Sequence, residues 1–156
     1  DAALDRDGRG MASLKQELGY VDAYLYIIRE RLGGNLRVTK EIPDEMAAQL
    51  IPRLILQPIV ENAVEHDITA NRGGRLTLRA RREAGEIVLE VEHDGTMTDK
   101  DRENIRQLTS AEYTGSGRVG LRNVYRRLKL LYGDAGGLTI EETAPGTILA
   151  RLHFPA

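Results

Sequence analysis

The chain has 156 residues, and its 41% hydrophobic content is enough to bury the core of one globular domain. Its 22 basic and 24 acidic residues give a formal net charge of -2, which argues against a nucleic-acid-binding protein. The absence of cysteine excludes disulfides, thiolate metal sites and thiol nucleophiles, and no apolar run approaches the roughly 18 residues that span a bilayer.

Residues 1–34 predict a long helix after an irregular start. Residues 1–10 are polar, contain glycine and lack periodicity, so we expect them to be frayed or disordered. The pattern of residues 11–34 predicts a separate helical segment, which Gly33 and Gly34 end. Its narrow apolar seam favours packing against a partner helix, for example that of a second copy, over packing on the chain's own sheet. The seam repeats in steps of four and three: Leu14, Leu18, Val21, Leu25, Ile28 and Leu32.

The remaining residues, 35–156, alternate between strand and helix patterns. Period-two alternation predicts strands at residues 35–42, 75–82, 86–92, 138–142 and 147–154. Helices are predicted at 44–50, 51–66, 99–108 and 121–132, and a loop at 109–118. Pro52 suits the first turn of the second helix, whereas Pro58 should kink or restart it. Helices that interrupt a largely antiparallel sheet predict an α+β two-layer sandwich.

Glu61 and Asn62 form a polar pair on a helix that is otherwise nearly all apolar. Polar groups in such a setting need a partner. Carboxylate and amide oxygens are ligands that Mg2+ accepts while it keeps several waters, so the pair predicts a contact with a hydrated cation and its phosphates. The alternative is a buried polar pair whose hydrogen bonds are made by nearby backbone.

Two glycine-bearing segments lie downstream of this pair. The first is Glu92-His93-Asp94-Gly95, at the end of a predicted strand, and the second is Gly115-Ser116-Gly117-Arg118-Val119-Gly120-Leu121, directly before a predicted helix. A glycine loop that runs into a helix N-terminus offers backbone N–H groups and a favourable dipole to phosphate. A plain surface loop is the alternative. The phosphate-loop pattern that ends in Gly-Lys-Ser/Thr is absent.

Taken in order, these three segments resemble the N box and the two glycine boxes of the GHKL ATPase superfamily. The run from Ile51 to His66, Ile-Pro-Arg-Leu-Ile-Leu-Gln-Pro-Ile-Val-Glu-Asn-Ala-Val-Glu-His, is similar to the signature of LytS-like and YesM-like bacterial sensor histidine kinases. Gly120-Leu121-Arg122-Asn123-Val124 and the helix from Leu14 to Arg31 also resemble that family, and the resemblance implies that residues 11–34 are the C-terminal part of a dimerisation or linker helix. The resemblance covers residues 12–155, nearly the whole chain.

The resemblance implies a sandwich of the GHKL type with ATP and Mg2+ as cofactors. It implies that Asn62 coordinates Mg2+ and that Glu61 supports the metal or the water near the transferred phosphate. Residues 96–116 would form an ATP lid, an element that orders on ligand binding. The other residues implied to contact the nucleotide come from all three segments: His66, His93, Asp94, Gly95, Gly115, Gly117, Arg118, Gly120, Leu121 and Asn123.

Both glycine boxes depart from the family pattern. In the first, the family has an aspartate two residues before the glycine, which accepts a hydrogen bond from the adenine amino group. Here that position is His93, Asp94 comes one residue later and Met97 replaces the usual second glycine; the second box has wider glycine spacing. Either Asp94 takes over adenine recognition after a local shift, or neutral His93 accepts the bond, or nucleotide binding is weak. We expect Asp94→Asn to weaken ATP binding more than His93→Ala, because a carboxylate is the stronger acceptor.

The sequence therefore indicates the catalytic ATP-binding domain of a two-component sensor histidine kinase, in the cytoplasmic portion of a bacterial inner-membrane protein. By the same resemblance, the domain would transfer the γ-phosphoryl group of ATP to a histidine outside these residues, and His66 would be a site histidine that is not phosphorylated. Its expected partners are the dimerisation and phosphoacceptor region of the same kinase, as a homodimer, and a response-regulator receiver domain. The alternative is a non-catalytic GHKL module with weak or no nucleotide binding. The helix with heptad spacing disfavours a GHKL serine kinase of the anti-sigma-factor type.

Overall fold

A computed structural model describes residues 10–110 and 119–156 of the chain. Its main sheet has five strands in the order β2-β4-β5-β7-β6, and β1 and β3 form a separate antiparallel pair. Within the main sheet β2 and β4 are parallel, and the other neighbours are antiparallel. The strands are β1 (Met11–Ser13), β2 (Leu36–Glu41), β3 (Leu50–Pro52), β4 (Gly74–Glu83), β5 (Glu86–Asp94), β6 (Gly137–Ala144) and β7 (Thr147–Pro155).

The helices pack on the sheet face that carries Leu76, Leu78 and Leu89, and all three side chains are buried in the core. The predicted α+β two-layer sandwich is therefore confirmed. None of the helices in the described part of the chain has both the length and the apolar character to cross a membrane. The helices are α1 (Leu14–Arg31), α2 (Gln57–Ala63), α3 (Asp99–Leu108) and α4 (Val119–Tyr132), with a π-helical turn at Val64–Ile68 and 3-10 turns at Asp44–Met46 and Gly133–Ala135.

The apolar seam of α1 lies in the core of its own domain. Val21 is fully buried, and Leu14, Leu25 and Ile28 are nearly so. The preference for a partner helix was therefore wrong for this seam, because heptad spacing alone does not identify the surface that covers it. Pairing of β1 with β3 holds the start of α1 against the domain. That residues 11–34 are part of a dimerisation or linker helix in a longer protein remains a prediction.

The helix predicted at residues 51–66 begins later than expected. Pro52 ends β3, so its placement in a helical first turn was wrong. Pro58 lies in the first turn of α2, where its missing amide hydrogen leaves no helical bond unmade. The helix thus begins one residue before this proline, and the preceding residues 53–56 are not helical. The short helix predicted at 44–50 is only a 3-10 turn.

The β4–β5 hairpin is confirmed with its predicted turn. Ala84 and Gly85 both have positive φ, 52° and 81°, as a tight two-residue hairpin turn requires. On the outer face of this hairpin, Glu90 is only 5% exposed and lies between Arg81 and Arg151. Burial opposes the charge on Glu90, but hydrogen bonds from Arg151 and Arg81 outweigh it and hold its pKa below the usual range. The outer face of the sheet is therefore a network of ion pairs.

Candidate functional site

An open cavity of about 400 Å³ lies between α2 and the start of α4. Two segments that are far apart in the sequence form its walls. From α2 and the following π-helical turn, and from the first turn of α4, the lining residues are Pro58, Glu61, Asn62, Glu65, His66, Gly120 and Leu121.

One wall of the cavity is acidic. Glu61 and Asn62 are half-buried, and the Gln57 side chain donates a hydrogen bond of 3.1 Å to Glu61 Oε1, which fixes that carboxylate. The pKa of Tyr24 in α1 is raised to about 12. Burial is the largest cause, and the negative charges of Glu65 and Glu61 add to it. This wall therefore suits a cation.

The π-helical turn after α2 sets the directions of His66 and Asp67. The N–H of Thr69 donates to the carbonyl of Val64 at 2.8 Å, a span of five residues in place of the usual four. The wider turn leaves His66 on the cavity wall and Asp67 only 8% exposed. Such turns are frequent at functional sites.

His66 and Asp67 belong to a chain of alternating imidazoles and carboxylates. His66 Nε2 lies 3.0 Å from Asp101 Oδ1 in α3, and His66 Nδ1 lies 3.2 Å from Asp67 Oδ2. The same Asp67 oxygen lies 2.7 Å from Nε2 of His93, which is 5% exposed on β5. Burial opposes the charge on Asp101, but hydrogen bonds from Thr98 and His66 hold its pKa below the usual range. This series of side-chain contacts connects the first glycine segment to the start of α3.

His93 and Asp94 point to opposite faces of the sheet. His93 faces the helices, whereas Asp94 Oδ2 accepts a 2.9 Å hydrogen bond from the backbone N–H of Arg75, and its Oδ1 accepts one of 3.2 Å from the Arg75 guanidinium. Burial opposes the charge on Asp94, but these Arg75 bonds outweigh it and keep its pKa low. Asp94 is therefore engaged on the face away from α2.

The backbone of Gly95 packs directly against the Asp67 carboxylate. A Cβ atom at this position would come 2.5 Å from Asp67 Oδ2 and 2.6 Å from its Cγ. The glycine is thus required by the close approach of a carboxylate, which the sequence reasoning did not anticipate. Asp67 and Asp101 were both missed. The available signal for Asp67 was its position directly after His66, at the end of a polar run on an apolar helix.

The second glycine segment is described only in part. Gly115, Gly117 and Arg118 fall outside the described residues, as do most of residues 1–10 and of the loop predicted at 109–118. Gly120 and Leu121 line the cavity, whereas Asn123 is exposed on α4 and is not among its lining residues. Arg122 donates a hydrogen bond to the carbonyl of Leu108 and so connects α4 to the end of α3.

The described residues contain no preformed cage for a metal. Among residues 10–110 and 119–156, no three histidine, aspartate or glutamate side chains are arranged to hold an ion. Mg2+ bound to nucleotides commonly has one or two protein ligands, with phosphates and water supplying the rest. Glu61 and Asn62 are of that chemical kind, and the acidic wall they share with Glu65 fits a cation of this type.

Comparisons with known proteins agree on one family. Residues 47–156 match the model of the histidine kinase-, DNA gyrase B- and HSP90-like ATPases. Sensor histidine kinase YpdA of Escherichia coli K12 is 36% identical over 137 residues, which are 88% of this chain and 23% of YpdA. Sensor histidine kinase/phosphatase LytS of Staphylococcus aureus is 30% identical over 137 residues, 86% of this chain and 24% of LytS. The chain thus spans about a quarter of the length of these relatives.

Solved structures show the same fold. The catalytic domain of histidine kinase ThkA superposes with a TM-score of 0.70 over 93% of this chain and 94% of that domain, at 15% identity. ThkA in complex with the response regulator protein TrrA gives a TM-score of 0.66 at 16% identity, over 93% of this chain and 41% of that one. At these identities the likeness establishes the architecture alone.

Proposed function

The chain belongs to the family of histidine kinase-, DNA gyrase B- and HSP90-like ATPases, and on that premise we propose that it is the catalytic domain of a two-component sensor histidine kinase. It binds Mg-ATP and transfers the γ-phosphoryl group to a histidine outside this sequence. The cavity between α2 and α4 is the observation that carries the proposal, because it brings Glu61 and Asn62 together with Gly120 and Leu121.

The two walls of the cavity suit the two parts of a metal-bound triphosphate. On the acidic wall, Asn62 provides an oxygen ligand for Mg2+, and Glu61 supports the hydrated metal. On the opposite wall, the first turn of α4 presents Gly120 and Leu121, where backbone N–H groups and the helix dipole favour phosphate. Bound Mg2+ neutralises charge on the phosphates, and the protein's own contribution is to position them.

Gly115, Gly117 and Arg118 are proposed to extend the phosphate-binding wall, and residues 96–116 to act as the ATP lid. The first part of this segment lies within the described residues. There α3 begins at a capping box in which Thr98 and Asp101 exchange hydrogen bonds, and Asp101 also contacts His66 on the cavity wall. His66 is proposed as a site residue that connects the lid to the N box, without being phosphorylated.

The partners and location follow from the same proposal. The substrate histidine belongs to the dimerisation and phosphoacceptor region of the same kinase, which acts as a homodimer. A response-regulator receiver domain then takes up the phosphoryl group; a structural neighbour, ThkA, has been solved in complex with a response regulator protein. We propose that the domain lies on the cytoplasmic side of a bacterial inner-membrane sensor, like the sensor kinases it resembles.

Thermal unfolding with and without nucleotide tests the proposal. A ligand at about 100 times its dissociation constant stabilises the folded state by roughly 2.7 kcal/mol. We expect ATP or ADP with Mg2+ to raise the melting temperature, and the nucleotide in excess EDTA to raise it less. Absence of any shift at millimolar nucleotide would reject this function in favour of a module that does not bind nucleotide.

A further inference from the structure

Asp67 is a buried carboxylate held in one orientation. Its Oδ2 receives the contacts from His93, at 2.7 Å, and from His66, at 3.2 Å. Because a carboxylate only accepts, the His93 ring nitrogen in this contact carries the proton. Among residues 10–110 and 119–156, no side-chain contact of Asp67 is made through Oδ1. One carboxylate oxygen is thus fixed, and the other keeps its capacity to accept.

The surroundings of Asp67 place it next to the cavity. Asp67 contacts His66, which lines the cavity, and so lies directly behind that wall without being one of its lining residues. Gly95 packs against the Oδ2 side of the carboxylate. The two residues expected from sequence are less suitable acceptors. Asp94 is bound to Arg75 on the other face of the sheet, and the Nε2 of His93 is committed to Asp67.

We propose that Asp67 is the residue that selects the base of the nucleotide, by accepting a hydrogen bond from the 6-amino group of adenine, and that His93 is the positioning residue that holds it. This inference rests on the proposed function and names the determinant of its specificity. The second carboxylate oxygen, Oδ1, attracts an N–H2 donor, whereas it repels the carbonyl oxygen that inosine and guanine carry at the same position.

The test compares ATP with ITP, which differ at position 6 of the base. Affinities of wild type and of Asp67→Asn are measured by calorimetry with Mg2+, and Asp94→Asn is the matched control. Hydrogen bonds to a charged group are strong enough that we expect wild type to prefer ATP by about tenfold or more. In Asp67→Asn the amide can donate to the carbonyl of ITP, so we expect the preference to fall to about threefold or less. Asp94→Asn should keep the wild-type ratio.

Each outcome decides between the proposals. If wild type and Asp94→Asn bind ATP but Asp67→Asn keeps the full preference, the role of Asp67 is rejected while nucleotide binding stands. If Asp94→Asn loses the preference instead, Asp94 is the acceptor, as first expected from sequence. If wild type binds neither nucleotide, the proposed function fails together with this inference.

A measurement on the unaltered protein covers the case in which Asp67→Asn does not fold. In NMR titrations of wild type, we expect ATP to shift the amide resonances of Asp67, His93 and Gly95 more than ITP does at equal saturation. Differences between the two nucleotides that centre on Arg75 and Asp94 would overturn the assignment.

Discussion

Replacing Gly95 with alanine tests the closest approach in the site. The new Cβ atom would lie 2.5 Å from Asp67 Oδ2 and 2.6 Å from Asp67 Cγ, well inside the ~3.5–4.0 Å at which carbon atoms attract one another. Asp67 is 8% exposed and is held by His93 at 2.7 Å, so it can relieve the collision only by giving up that contact.

The expected cost follows from these two terms. Overpacking a well-packed position costs about 1–3 kcal/mol, and losing a hydrogen bond to a charged group adds about 1.5–3 kcal/mol. We therefore expect Gly95→Ala to lower the free energy of unfolding by about 2.5–6 kcal/mol, measured by urea denaturation without nucleotide.

Gly19 provides a matched control. It lies within α1, and apart from its chain neighbours and the backbone of its own helix, a Cβ atom there would meet nothing within 4 Å. Gly19→Ala should therefore raise the free energy of unfolding by about 0.5–1 kcal/mol, because alanine is favoured in a helix interior.

A double-mutant cycle identifies the cause of the Gly95 effect. If the Asp67 carboxylate is what excludes a side chain at residue 95, Gly95→Ala should cost much less in an Asp67→Ala background. An equal cost in both backgrounds would refute the reasoning.

Two further predictions concern binding and pH. We expect Asn62→Ala to fold normally but to lose the Mg2+-dependent part of the stabilisation by ATP, since Asn62 lies on the acidic wall of the cavity; unchanged Mg2+ dependence in the thermal unfolding assay would contradict its role as a ligand. Glu90→Gln should lower the free energy of unfolding at pH 7 by about 1–3 kcal/mol, because Arg81 and Arg151 lose their charged acceptor. The pKa of Glu90 is depressed in the folded state, so its contribution is present above the ordinary value of 4.5 and is lost as the pH falls through the lower folded value. Urea denaturation at pH 7 and pH 3 should therefore show a smaller difference between the two proteins at pH 3, and a difference independent of pH would contradict this assignment.

Much of the fold could be predicted because the local patterns agree with the tertiary structure. Alternation located β4 and β5, and the turn at Ala84 and Gly85 fixed their pairing. The seam of α1 was recognised as a helix face, but its spacing does not say which surface covers it. The role of Pro52 was misjudged, because proline suits a strand end as well as a first helical turn.

The site was harder to predict because its geometry depends on contacts between distant segments. Nothing local marks residues 64–68 as a π-helical turn, and without that turn Asp67 gives no sign of facing β5. The sequence did allow the orientation of the His93 side chain to be predicted. Ile87, Leu89 and Val91 share one face of β5, and the same alternation places His93 on that face and Asp94 on the other. The alternation along β5 therefore places His93 next to Asp67 on the helix face, and Asp94 next to Arg75 on the other face.

The Asp101 carboxylate contacts both the backbone at the start of α3 and a side chain on the cavity wall. Its Oδ2 accepts the N–H of Thr98 at the start of α3, and its Oδ1 contacts His66 on the cavity wall. If a molecule entering the cavity displaced the His66 imidazole, the Asp101 carboxylate would shift as well. That carboxylate also caps the first turn of α3. Occupancy of the cavity and fraying of the first turn of α3 are therefore coupled through a single side chain.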